Sequence, residues 1–314
     1  MHAVTIVDAA LVWTEHPDPL PGPGEVLIDV RAAGVSNADL LQRAGFYPPP
    51  PGAPMDIPGL EAAGEVIAVG PGATRFAVGD RVMAVLAGGG QAERVVVHER
   101  AAMPIPAGVS WEQAGALPEN VTTAHDALFT QCGLAMGARL CVHGAAGGVG
   151  TAAVLLGSLA GSTVVATVRD PAKRDGVASL APGVTALAPD AFVAHGPFDV
   201  ILELVGGPNL PSDIDALATG GRISIIGVGA GGKAEINLLA LMAKRARIVA
   251  STLRARPLEQ KADAARAVES AVLPMLEDGR LRLPIAATFP MAEASAAYEH
   301  FASGGKLGKI VLTR

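Results

Sequence analysis

Only two cysteines, Cys132 and Cys141, occur among the 314 residues. Two thiols cannot form a disulfide scaffold or a four-cysteine zinc site, so a reducing compartment is expected. Charged residues make up 17% of the chain, the formal net charge is −6, and Lys and Arg never run beyond a pair. A general nucleic-acid surface or an anionic-membrane surface is excluded on that account. No apolar stretch of about 18 residues runs free of glycine, proline or charge, which leaves no candidate spanning helix. The opening MHAVTIVDAALVW has no basic start and carries Asp8, unlike a signal peptide, so a cytoplasmic location is expected. What the chain does have is apolar residues, at 50% of the total. That is enough for a large core, and at roughly 100–200 residues per domain the length predicts two domains.

The N-terminal third carries short β-branched runs, Val26–Val30, Gly64–Val69, Asp80–Val85 and Arg94–Val97, separated by Pro23-Gly24, Pro71-Gly72 and Gly79-Asp80. Short strands with frequent turn signals predict an all-β, barrel-like domain. Pro48–Pro51 with Gly52 can be neither helix nor central strand and must be an extended loop. The pattern changes near Ser110. Trp111–Ala116 and Thr122–Phe129 read as helices, and from Arg139 strands and helices alternate. Leu140–Val142, Thr163–Val168, Asp199–Leu204 and Arg222–Ile226 are too apolar to be one-sided, as buried parallel strands are. The series predicts a doubly wound sheet. Leu258–Leu276 reads as one long helix, and the tail Lys309–Leu312 fits either domain.

Between the first of those strands and the helix Thr151–Leu159 lies His143-Gly144-Ala145-Ala146-Gly147-Gly148-Val149-Gly150. Ala145–Gly150 fits the dinucleotide fingerprint with alanine for its first glycine. Gly147 would let the backbone approach a pyrophosphate, Gly150 would pack helix against strand, and the helix N-terminus would offer N–H groups to phosphate. The turn residues Ala146, Gly147, Gly148, Val149 and Gly150 are therefore the expected cofactor contacts. Thr167 on the next strand and Gly227 after the strand Arg222–Ile226 are expected beside them. A carboxylate at the end of the second strand would bind the ribose of NAD, whereas a cation would accept the 2′-phosphate of NADP. The only acid there, Asp170, precedes Pro171 and has the form of a helix cap. Arg169, Lys173 and Arg174 make a cationic edge, so NADPH is the expected cofactor.

In chain order, Pro23–Leu27, Gly34–Asp39, Gly59–Gly64 and Gly79–Val82 resemble the recurring segments of the medium-chain dehydrogenase/reductase superfamily. Leu41–Pro48 followed by Ala145–Gly150 is similar to its zinc-free quinone oxidoreductase, zeta-crystallin-like branch, and the resemblance runs on through Gly308–Leu312. It implies an α/β fold: a GroES-like β-barrel catalytic domain from residues 1–117 and 254–314, and a doubly wound parallel-sheet Rossmann domain from 118–253. It also implies a homodimer joined at Rossmann edge strands. Arg247–Ser251 reads as such a strand, and an edge of this kind needs covering. Zinc enzymes of the superfamily place Cys where Ser36 stands and His where Leu60 stands. Ser and Leu are outside the usual zinc ligand set, and Glu61 alone cannot hold the ion, so no metal is expected. Gly176–Pro197 is short for the branch, which would trim one crossover.

The resemblance implies an NADPH-dependent reductase of quinones. The alternative is reduction of the C=C bond of an enone or enoyl thioester, and a third possibility is a non-catalytic NADPH-binding protein. Tyr47 lies in the loop the family places over the nicotinamide, and a phenol stays protonated at neutral pH and can donate to a substrate oxygen. Ser36 is the expected second active-site contact, where relatives carry Asn. Asn37 is its possible substitute, but neighbours on a strand face opposite ways. Thr123 matches the position that bonds the nicotinamide or its ribose. Arg254 and Arg256 are the nearest cations for the phosphates of a CoA or carrier-protein substrate. His125 is read as a possible pocket residue, and His143 and Glu203 as structural neighbours of the nucleotide turn.

Overall fold

The structure, a computed structural model, describes residues 1–314. The chain divides into two units, one of residues 1–122, 253–304 and 308–314, the other of residues 123–252 and 305–307.

In the first unit a seven-stranded sheet follows the order Ile285–Pro290, Lys309–Thr313, Glu25–Val35, Glu61–Val69, Arg81–Val85, Ala102–Pro104, and Arg94–His98 joins it at Glu25–Val35. The 11-residue strand Glu25–Val35 is the spine. Its first half pairs with both Arg94–His98 and Glu61–Val69, and its second half takes up Lys309–Thr313. Register shifts at Leu27/Ile28 and Val30/Ala32 bend it enough to serve these partners. Its alternate residues Val26, Ile28 and Val30 meet Val66, Ile310 and Leu312 in the core. The tail therefore completes the first unit, through a parallel partner, Ile285–Pro290, that its alanines and terminal proline conceal in the sequence. The expected long helix is two, Leu258–Ala271 and Leu273–Glu277. Pro274 has no N–H to give, and its ring would strike the carbonyl four residues back.

The second unit is a six-stranded parallel sheet in the order Thr185–Leu187, Thr163–Thr167, Arg139–Val142, Phe198–Glu203, Leu217–Ile225, Arg247–Ala250. Leu140, Cys141, Val142, Ile201 and Leu202 are wholly buried, as continuous apolar strands between helical layers must be. The order reverses at Arg139–Val142, so the glycine-rich turn leaves the sheet at its topological switch point, where such folds bind ligands. The crossover from Thr185–Leu187 is reduced to one helical turn, Phe192–His195, as the short Gly176–Pro197 segment implies.

Candidate functional site

The nucleotide-type turn is built by glycines with distinct duties. Gly144, at φ +66°, carries the left-handed step out of the strand. This explains why alanine serves at position 145: the glycine-only conformation falls one residue earlier. Ala145 is buried, and its N–H donates to the Thr167 carbonyl at 3.2 Å. Gly147 caps the helix Gly148–Leu159 from an extended conformation, and a Cβ there would find nothing nearer than 3.6 Å. A Cβ on Gly150 would stand 2.5 Å from the Gly144 carbonyl oxygen, so this glycine serves packing. Ala146, Gly147, Gly148 and Val149 are partly exposed, at a helix end whose first amides have no partner within the helix. Gly227 is equally constrained, since a Cβ there would collide with the Leu204 carbonyl.

Beyond the second strand, Asp170 accepts from the Ala172 N–H at 3.0 Å and caps the turn that begins at Pro171. Arg169 is exposed, Lys173 is half-buried, and Arg174 donates from Nε to the Val168 carbonyl at 3.2 Å.

Beneath the turn lies a buried polar network. His143 bonds Thr167 Oγ1 through Nδ1 and Asp213 Oδ1 through Nε2, each at 2.8 Å, and meets the Phe192 ring edge-on. Burial alone would push the imidazole pKa down; the Asp213 carboxylate overrides this and raises it. Glu203 accepts from the Val205 and Gly206 N–H groups and from Asn209 Nδ2. His143, Glu203 and Asp213 could in principle ligate a metal, but these bonds already occupy Glu203 and both imidazole nitrogens. The trio braces the turn. Thr167 belongs to that brace: its hydroxyl is taken by His143 and its carbonyl by Ala145. Thr123 is buried on the helix Pro118–His125, and His125 is half-buried against Phe129, its pKa lowered by burial.

In the first unit, Ser36 ends the spine strand and caps the helix Asn37–Arg43. The strand-face comparison of Ser36 with Asn37 therefore does not apply. The Ser36 N–H and hydroxyl donate to Asp39 Oδ2 at 2.7 and 2.9 Å, leaving the hydroxyl oxygen as an acceptor. Asp39 Oδ1 accepts from the Gly59 N–H at 3.0 Å. Leu60 is buried and apolar, and Glu61 is held by a lysine, so the three positions form no zinc ligand set.

That lysine is Lys309. Its Nζ stands 2.5 Å from Glu61 Oε1, with both side chains at most 3% exposed. Glu61 Oε2 accepts from the Glu119 N–H at 2.8 Å, and Lys309 reaches Asn120 Oδ1 at 3.5 Å. Burial pushes the Glu61 carboxyl pKa up while Lys309 draws it back; burial would lower the Lys309 pKa, but its carboxylate neighbours raise it. Gly34 makes the space, since a Cβ there would collide with Glu61 Oε1 and stand 2.5 Å from Lys309 Cε.

Tyr47 is half-buried, with burial pushing its phenol pKa up and the Arg254 charge partly offsetting this. Arg254 is buried under the Tyr47 ring, its guanidinium 5.0 Å from the ring centroid. This corrects the reading of Arg254 as a phosphate-binding cation: its N–H groups are spent inside the protein.

Residues 22–107 match the family model described as alcohol dehydrogenase GroES-like domain, and residues 184–312 match zinc-binding dehydrogenase. Over 94% of its length the chain is 31% identical to rat quinone oxidoreductase and covers 90% of that protein. It is 34% identical over 96% of its length to polyketide synthase GfsB of Streptomyces halstedii, of which it spans only 5%. An alcohol dehydrogenase superfamily protein from Novosphingobium aromaticivorans superposes with a TM-score of 0.88 at 27% identity, covering 100% of this chain and 99% of the other. The chain belongs to the medium-chain dehydrogenase/reductase superfamily and is an oxidoreductase of that family. No helix is long and apolar enough to cross a membrane.

Proposed function

We propose that this oxidoreductase is an NADPH-dependent quinone reductase that works without a metal ion. The observation that carries the reading is a chain matching nearly all of a quinone oxidoreductase, with Ser36 and a buried Leu60 where the resemblance places zinc ligands and a half-buried Tyr47 in the same unit. Bound NADPH supplies the hydride. The turn Ala146–Gly150 receives the pyrophosphate at the helix N-terminus, with Gly227 and Thr123 as further contacts and Thr167 fixing the turn from below. Arg169, Lys173 and Arg174 meet the 2′-phosphate. Tyr47 donates a hydrogen bond to the substrate oxygen as charge develops on it, and Ser36 is the second polar contact of the active site. Reduction of an enone or enoyl thioester is the second reading, favoured by the likeness to GfsB.

NADPH oxidation measured with quinones, enones and crotonyl-CoA, before and after dialysis against a chelator, tests the proposal. Quinone turnover that survives chelation is expected. Turnover on crotonyl-CoA alone would favour the second reading, loss of activity on chelation would refute metal independence, and no turnover would leave a nucleotide-binding protein.

The preference for NADPH has its own test. A charge-assisted hydrogen bond contributes about 1.5–3 kcal/mol, so Arg169→Ala should weaken NADPH roughly 10–150-fold. NADH affinity should barely move. Equal affinity of the unaltered protein for both nucleotides would overturn the assignment.

We also propose a homodimer. Arg247–Ala250 is an edge strand paired on one side only, and the preceding helix Leu238–Lys244 exposes Leu238, Leu239 and Met242 at 63, 74 and 69%. A two-fold pairing through this edge would cover both features. Light scattering at micromolar concentration should give about twice the 31.6 kDa chain mass. A monomer mass would contradict it.

A further inference from the structure

Arg254 is 4% exposed, yet its three hydrogen bonds all go to neutral oxygens. Nε donates to the Ala87 carbonyl at 2.7 Å, one terminal nitrogen to the Tyr47 carbonyl at 2.9 Å, and the other to Gln42 Oε1 at 2.5 Å. A buried cation held by neutral acceptors is costly, and a neutral side chain of similar length would fill the space at lower cost. The charge therefore calls for a use. The side chain it faces most directly is Tyr47, whose ring lies over the guanidinium. The other charged groups acting on the pair are Glu119, which opposes ionisation of the phenol, Asp39, which favours the guanidinium, and Lys261, whose own pKa is lowered by burial and by Arg254.

We propose that Arg254 is a positioning residue for Tyr47: it fixes the loop carbonyl and the ring face together, and its buried charge makes the phenol a stronger hydrogen-bond donor toward the substrate oxygen. The inference rests on the reading of Tyr47 as that donor. The fork matters as well as the charge. Gln42 and Ala87 hold the guanidinium plane from two further segments, so the loop carrying Tyr47 is tied to the body of the first unit through one planar group. A lysine at this position would keep the charge but could not span all three oxygens in a plane.

The chain offers an unusually clean measurement, because its only other tyrosine is Tyr298. Tyr298 is wholly buried, donates to Gln91 at 2.9 Å, and has its ionisation pushed well above the ordinary phenol range. The first phenolate to form in an alkaline absorbance titration therefore reports Tyr47. Arg254→Gln should raise that first midpoint by about one pH unit, as loss of a neighbouring opposite charge does. The same variant should lower kcat on a reduced substrate about tenfold with the NADPH Kd unchanged. Arg254→Lys should restore the midpoint but only part of kcat, and it keeps the question answerable if the glutamine variant fails to fold. A folded Arg254→Gln variant, or an Arg254→Lys variant in its place, with the opposite pattern would overturn the proposal: an unmoved midpoint for the first, a fully raised midpoint for the second. If the midpoint moves as expected while Tyr47→Phe keeps full kcat, the coupling of Arg254 to Tyr47 stands and the donor role of Tyr47 is what fails.

Discussion

Lys309→Met is expected to destabilise the folded protein by about 3–5 kcal/mol, the usual cost of removing one member of a buried ion pair. Methionine fills most of the lysine's volume, so little of the loss would come from a cavity. It comes from Glu61, left as an uncompensated carboxylate in a site that water does not reach. Adding Glu61→Gln should recover part of the loss, because the amide oxygen can still accept from the Glu119 N–H while the stranded charge is gone. Urea unfolding of the single and double variants measures both effects. A single variant within about 0.5 kcal/mol of the unaltered protein would mean that the pair is not a buried pair in solution.

Tyr47→Phe is the second large effect. Hydride arriving at a quinone carbon, or at the β-carbon of an enone, pushes charge onto oxygen. Loss of one donor to such an oxygen typically costs about 10²–10³ in rate, and solvent can cushion the loss where the substrate is open to water. The variant should therefore lower kcat at least about tenfold on an enone and less on a quinone, with NADPH affinity unchanged. Unchanged kcat on every substrate would make Tyr47 a packing residue and leave solvent as the proton source.

The nucleotide turn is legible in the sequence because its determinants are local. Strand, glycines and helix follow one another within a dozen or so residues, and each glycine has a steric reason visible from that order. The four central strands of the parallel sheet are legible for a similar reason, since strands buried on both faces announce themselves by composition, whereas the short, partly exposed strand Thr185–Leu187 carries no such signal. The ion pair of the first unit is only half legible. Glu61 and Lys309 each stand out as a charge in an apolar run, but their pairing depends on both strands flanking Glu25–Val35 on the same face, which no local pattern encodes. Arg254 is misread for the complementary reason: an arginine two residues from Arg256, where the chain passes from one unit's segment to the other's, looks solvated, and only the fold supplies the oxygens that enclose it. Ser36 shows how an assumed element misleads. Taken as strand, it invites a comparison of faces; as a cap, its hydroxyl is claimed by Asp39 before any substrate arrives.

The strand Lys309–Thr313 has a bearing on how the chain is made. It sits between Glu25–Val35 and Ile285–Pro290, so the spine of the first unit waits for it while the whole of residues 123–252 leaves the ribosome. The parallel-sheet unit can assemble from contiguous sequence during that interval. The early strands meanwhile present an unpaired edge along Ala32–Val35, and Glu61 has no counter-ion. Closing so long a loop is slow relative to local folding, and an open edge of this kind invites pairing with other chains. A nascent chain stalled before Lys309 would thus carry one finished unit and one adhesive one.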